Sequence, residues 1–294
     1  MFDLPDFKNA VIGEAAAVES AEDKKIAFSK AHHGMMSGSS IGLIIIEPVS
    51  DAEIDAKQAE IDNSKTGKTA TKEKELAVLK RALEKMLNGD FSQTAKSYLD
   101  EIVSQRRRVF NPERPKAFSG NKHTEWGNGK ELEAIAAYED LTGLKLEKTG
   151  DSQEFVRLGY VESVDFDFSE WFGCTPDSVT PESEAYAVKF IGRDIENIPR
   201  EFKNPSSGVV FDRYRNLKTP ADLKKENTLY YWQVIAQMAC LNAPYAQWIA
   251  YDCDIKSDNP ADKFVIVDFE RDLIVEKALI DSLFKAVQYI QEII

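Results

Sequence analysis

The chain has 294 residues, 43% of them hydrophobic and 30% charged, with a formal net charge of −13. That size and composition suit one large globular domain with a sizeable core and exclude a disordered chain. The three cysteines, Cys174, Cys240 and Cys253, are too scattered for a disulfide framework, a zinc site or an iron–sulfur cluster.

No apolar run reaches the roughly 18 residues that a membrane span needs. The opening MFDLPDFKNAVIGE lacks the basic-then-apolar order of a secretory leader. A cytoplasmic protein without a membrane partner is expected. The acidic average counts against nucleic-acid binding, which usually needs basic surface. Local patches depart from that average.

In chain order, a short helix is expected near residues 15–29, then AHHGMMSGSSIGLIII, a turn-rich segment feeding an apolar run. Residues 51–98 are polar and helix-prone, with a break at NSKTGKTATKE. Leu76, Leu79, Leu83 and Leu87 recur there at helical spacing, which predicts a helical hairpin inserted into the domain. A helix from about 92 to 107 overlaps its end and runs out in SQRRR. Arg106, Arg107 and Arg108 there form a basic cluster, followed by Arg114, Lys116 and Lys122. GKELEAIAAYEDL predicts a helix with Leu132, Ile135 and Ala136 as its apolar stripe and Gly143 as its stop. Trp126, just before it, is read as core. Strands are expected at EFVRLGYVESV, DFSEWFGCTPDSV, AYAVKFIG and REFKNP, a helix near 228–241, and strands at AQWIAYDCDI and KFVIVDFERD. An amphipathic helix over 273–294 either packs on the sheet or serves a subunit interface. The order predicts a single α/β domain over 1–294, built on one central sheet.

Four polar clusters fall on elements that can meet: Glu133, Thr175-Pro176-Asp177, Glu201-Phe202-Lys203 and Gln233. Singly they are unremarkable. Glu133 suits a solvated helix face, and Asp177 suits a turn after Pro. Glu201 and Lys203 suit an edge-strand ion pair of little energetic worth. Gln233 suits a buried backbone partner. Together they suit phosphodiester hydrolysis, in which Mg²⁺ activates water and relieves charge on phosphorus. Asp177 and Glu201 would hold one ion with the Phe202 carbonyl. Glu133 would help hold a second, and Lys203 would orient the water or stabilise the transition state.

The segments resemble the lambda-type phage exonucleases, or YqaJ-type viral recombinases, within the PD-(D/E)xK nuclease superfamily. The family's G-x-x-x-E helix stands here as GKELEAIAAYEDLTG, its S-P-D-G as TPDS, its E-[IL]-K-C-P as EFKNP and its Y-x-x-Q-V as YYWQV. Its N-terminal R-x-G-x-x-T-A-S stands as HHGMMSGS. The resemblance implies a restriction-endonuclease-like core, a central mixed sheet flanked by helices. It implies catalysis by Glu133, Asp177, Glu201, Lys203 and Gln233 with two Mg²⁺ ions, replaceable by Mn²⁺. The implied activity is 5′-to-3′ degradation of one strand of linear double-stranded DNA, leaving 3′ tails for recombination by strand annealing.

Further implications are a trimeric ring around DNA, a single-strand annealing protein as partner, and a phage or prophage origin in a bacterial host's cytoplasm. His32 stands where the family has its phosphate-gripping Arg. Ser39 and Thr175 keep the hydroxyls of the 5′-phosphate site, and Arg213 or Arg215 is the candidate for an Arg that follows E-x-K. Arg106–Arg108 would touch the DNA backbone. The long Asp177-to-Glu201 separation is assigned to an extra hairpin with a break near Asn197-Ile198-Pro199. The rivals are an endonuclease of restriction or repair type and a non-catalytic acidic DNA mimic or interaction protein.

Overall fold

A computed structural model describes residues 21–46, 51–64, 69–88, 91–113, 122–180 and 198–294. The expected strand at 185–192, most of the extra hairpin, and Arg114 and Lys116 lie outside these residues. Along the chain, α1 (Ala21–Ala31) leads to β1 (Met36–Ser37) and a 3-10 segment at Gly38–Leu43. Then come α2 (Asp51–Asp62), α3 (Ala70–Asn88), α4 (Gln93–Arg106) and α5 (Lys122–Thr142). Five short strands follow: β2 (Val156–Arg157), β3 (Tyr160–Val161), β4 (Phe166–Asp167), β5 (Phe172–Cys174) and β6 (Ser178–Val179). The rest is β7 (Pro199–Lys203), α6 (Gly208–Tyr214), α7 (Pro220–Glu226), α8 (Thr228–Leu241), β8 (Tyr245–Tyr251), β9 (Phe264–Glu270) and α9 (Leu273–Ile293).

The described strands form three small sheets, where the sequence had suggested one. The largest has the order β6-β7-β8-β9, with the central pair parallel and both outer pairs antiparallel. A parallel pair needs a crossover, and α6, α7 and α8 provide it. β5 sits between β1 and β2 in a second sheet, and β3 pairs with β4. The expected strand DFSEWFGCTPDSV is cut at Thr175–Asp177. Pro176 has no N–H to give to a ladder, so β5 and β6 go to different sheets.

Beyond β6 the chain is closed at a stem. Thr180 N donates to Ile198 O at 3.2 Å, and Ile198 N donates to Thr180 Oγ1 at 2.9 Å.

The four-stranded sheet is covered on both faces. On one, Phe202, Ile249 and Tyr251 meet Ala134, Ile135 and Tyr138 of α5. On the other, Trp248 and Val267 join Trp232, Val234 and Ile235 of α8 in the main core. Behind β7, the fully buried Arg200 donates to Gln247 Oε1 at 2.9 Å. Tyr138 OH donates to the same oxygen at 2.7 Å, and Gln247 Nε2 reaches Asp268 at 2.7 Å. This network ties α5 to three strands.

α2 and α3 make the expected hairpin, with Lys57 bonded to Glu60 and Glu75. α4 is different. Ala95, Leu99, Ile102 and Val103 are buried in the main core, so the boundary drawn at residue 98 falls inside a core helix. α9 begins at an Asp272 cap that accepts from Ile274 N at 2.8 Å. Its Leu279, Leu283, Ala286, Val287 and Ile290 are buried, and it packs on α4 and α8. Among the described residues no helix is long and apolar enough to cross a membrane.

Leu283 is fully buried. Leu283→Ala should therefore cost about 2–5 kcal/mol of stability, through lost burial and the cavity it leaves. Urea unfolding measures it, and an unchanged midpoint would show that α9 is peripheral.

Candidate active site

β7 places Glu201 and Lys203 on one side, two residues apart. Glu201 is buried, with 1% of its surface exposed. Lys203 Nζ donates to Glu201 Oε1, and Gln233 Nε2 donates to the same oxygen at 2.7 Å. Gln237 Nε2 donates to the other oxygen, Oε2. Sequence reading singled out Gln233 and missed Gln237. The signal was there, since the two glutamines lie four residues apart and so share a helix face.

Asp177 reaches β7 from its edge. On β7, β6 pairs with Pro199 and Arg200, and beyond that ladder the Phe202 N–H is taken up by Asp177 Oδ2 at 2.7 Å. The strand break at Pro176 thus puts a carboxylate where a strand's own carbonyl would otherwise sit. Lys203 Nζ also lies 5.0 Å from the centre of the Tyr230 ring, a cation–π distance.

The helix carboxylate at this group is Glu131, not the expected Glu133. Gln153 Nε2 donates to Glu131 Oε1 at 2.8 Å and lies 3.5 Å from the Asp177 carbonyl. Glu133 is exposed and pairs with Lys130 at 2.7 Å, with Tyr251 OH at 3.4 Å. The Lys130 bond holds its carboxyl below the usual value. The cause is helix rotation. The buried face of α5 is Ala134, Ile135 and Tyr138, while Leu132 is 58% exposed and Ala136 is exposed. Glu131 continues that buried face by one turn toward the N-terminus. G-x-x-x-E fits twice here, from Gly127 to Glu131 and from Gly129 to Glu133, and the burial pattern decides between them.

The electrostatics follow from crowding. Burial, then the charges of Glu201 and Glu131, pushes the Asp177 carboxyl well above the ordinary range, against a partial offset from Lys203. Burial and Glu201 also raise Glu131. Burial alone would lower the Lys203 ammonium, but Glu201 and Asp177 outweigh it and hold it above the usual lysine value. Three carboxylates thus share one ammonium. An all-oxygen, over-acidic set of this kind suits a hard divalent cation. Asp252, Cys253 and Asp254 also bring ligand atoms within 4.8 Å of one another, on a more open turn.

His32 and Thr175 do come together, with Nε2 3.4 Å from Oγ1. The His32 ring lies between Phe28 and Phe155, with centroids at 4.1 and 4.0 Å, and its Nδ1 is 2.7 Å from Phe28 O. Ser39 is exposed, 3.2 Å from Ser37 Oγ. The arginine cluster is not an open row. Arg106 stacks 3.7 Å over Trp171 and donates to Glu170 O, Arg107 donates to Ile293 O, and Arg108 bonds Ser104 Oγ at 2.6 Å. Arg213 pairs loosely with Glu226 at 3.6 Å, and Arg215 with Asp212 at 3.7 Å. Trp126, expected in the core, is 38% exposed with Lys130 Nζ 5.3 Å from its ring centre.

Because folding raises the Asp177 pKa, the folded state binds that proton more tightly than the unfolded one. The resulting stability is lost as pH rises from about 4 through the folded pKa. In chelator, Asp177→Asn should flatten this fall and melt higher than wild type at pH 7. Asparagine keeps an acceptor for the Phe202 N–H. Parallel melting-temperature curves against pH would contradict the crowding argument.

The model of the YqaJ-like viral recombinase domain matches residues 27–244. Comparison with curated proteins gives no match. Among solved structures, an alkaline exonuclease from Laribacter hongkongensis is 13% identical with a TM-score of 0.54, covering 92% of this chain and 93% of its own. That exonuclease in complex with dAMP gives 14% identity and a TM-score of 0.52, over 90% of this chain and 91% of its own. A phage-related exonuclease from Haemophilus somnus 129PT is 16% identical with a TM-score of 0.52, over 88% of this chain and 94% of its own. These likenesses are in fold.

Proposed function

Since the chain belongs to the YqaJ-like viral recombinase family, we propose that it is a Mg²⁺-dependent exonuclease that degrades linear double-stranded DNA from 5′ ends. The observation that carries this reading is the convergence of Asp177, Glu201 and Glu131 around Lys203. An acidic binding protein has no use for three self-repelling carboxylates, one buried and two half-buried, gathered at one ammonium. The complex of the Laribacter exonuclease with dAMP agrees with a DNA substrate.

Asp177 and Glu201, with the Phe202 carbonyl, would hold one Mg²⁺, and Glu131 takes the place first given to Glu133 at a second. Mn²⁺ would substitute. When bound, such ions neutralise phosphate charge and lower the pKa of water. Lys203, held beside Glu201, supplies a positive donor where the attacking water or the pentavalent phosphorus carries charge. Gln233 keeps Glu201 in place. Thr175 lies two residues before Asp177, so a phosphate gripped by Thr175, His32 and Ser39 would sit close to the hydrolytic group. Arg107, Arg108 and Arg213 are exposed, and would turn from their partners Ile293 O, Ser104 and Glu226 to the DNA backbone. A ring, a trimer by resemblance, and a single-strand annealing protein acting on the 3′ tails complete the reading, in a phage-type recombination system of a bacterial cytoplasm.

Duplex DNA with a 5′ phosphate, labelled at either end, and a closed circle test it with Mg²⁺ and with chelator. Loss from 5′ ends with circles spared is expected. Cut circles would favour an endonuclease, and intact DNA under several divalent metals would favour a binding protein. Lys203→Ala and Asp177→Asn should each lower cleavage by about 10²–10³-fold or more. Glu131→Gln should shift the metal titration of activity and Glu133→Gln should leave it in place. The reverse pattern would restore Glu133.

A further inference from the structure

We propose that Gln237 is a positioning residue for Glu201, fixing the plane of its carboxylate for a divalent cation; this rests on the nuclease reading above. Gln237 is 1% exposed on a stretch of α8 whose neighbours Val234, Ile235, Ala236, Met238 and Ala239 are all buried. A primary amide is costly in such surroundings unless it is bonded. Here only half of it is. Its Nε2 serves Glu201 Oε2, while its Oε1 has no partner among the described residues. An apolar side chain would fill that site without an orphaned oxygen, so the amide is explained by the one bond it makes.

That bond is not duplicated. Lys203 and Gln233 both act on Oε1, so neither of them supports Oε2. Gln237, one helical turn beyond Gln233, is the donor that the structure gives to Oε2. Two rungs of one helix thereby hold the carboxylate by both oxygens and fix its rotation. Partners of a ligating carboxylate govern metal affinity in this way, and their loss typically weakens binding by about 10–100-fold.

The test measures Mn²⁺ binding by electron paramagnetic resonance on DNA-free protein, alongside the Mg²⁺ dependence of cleavage. Gln237→Met should stay folded in chelator and bind Mn²⁺ about 10–100-fold more weakly. The half-saturating Mg²⁺ concentration should rise by a similar factor, and the rate at saturating Mg²⁺ should change less. Gln237→Asn keeps an amide but withdraws it from Oε2. It should show the same weakening and serves as the measure should the Met variant not fold. In a Glu201→Gln background, Gln237→Met should add no further loss. Unchanged Mn²⁺ affinity in either variant, or a full additional loss in that background, would overturn the proposal. A wild-type protein that binds no Mn²⁺ and cuts no DNA would remove the nuclease reading and this inference with it. A wild type that does both, with variants equal to it, would remove the inference alone.

Discussion

The hydrogen bond from Phe202 N to Asp177 joins two parts of the molecule that no continuous strand connects. On one side is the small sheet of β1, β5 and β2, with Thr175 and His32 at its end. On the other is the four-stranded sheet with Glu201 and Lys203. Pro176 ends the first ladder, and the Asp177 side chain opens the contact with the second. Through that joint the end of the first ladder, with Thr175, is brought to the strand that carries Glu201. Gln153 adds a second tie, bonding Glu131 at 2.8 Å and lying 3.5 Å from the Asp177 carbonyl.

Stability and function pull against each other here. The main core is conventionally apolar, with Trp232, Trp248, Phe211 and Leu283 fully or nearly fully buried. Beside it lies a polar interior that a purely structural protein would lack. Arg200, Tyr138 and Gln247 form one buried network that reaches out to Asp268, and Glu201 with its two glutamines forms another. Breaking one partner of such networks costs more than the bond gains, because the other is left buried and unpaired. The first network fixes α5 to the sheet and so fixes where Glu131 stands. The second concentrates negative charge beyond what Lys203 neutralises. Both serve placement of charge rather than folding.

Much of this was legible in the sequence. Glu201 and Lys203 share a side because strands alternate, Pro176 breaks a strand because it lacks a donor, and Gln233 lies on α8 as its flanking aromatics suggest. The structure brings Glu131 rather than the chosen Glu133 to this group, for a physical reason. Both Glu131 and Glu133 follow a glycine by four residues, and a stripe drawn through Leu132 and Ala136 turns the helix by about one residue, some 100°. Gln237 looked like one more polar residue in an apolar helix until its partner was known. The arginines of SQRRR looked like a charge patch, yet two of them, Arg106 and Arg107, bond carbonyls that lie far off in the chain. Long-range partners of that kind leave no local pattern to read.

The stem at Thr180 and Ile198 explains how two acids far apart in the sequence come to lie side by side. Both backbone and side-chain bonds close there, just after β6 and just before β7. Next to it β6 and β7 are in register, with Ser178 opposite Arg200 and Val179 opposite Pro199. The closeness of Asp177 to Glu201 is therefore set by that ladder, and not by how many residues separate the two acids along the chain.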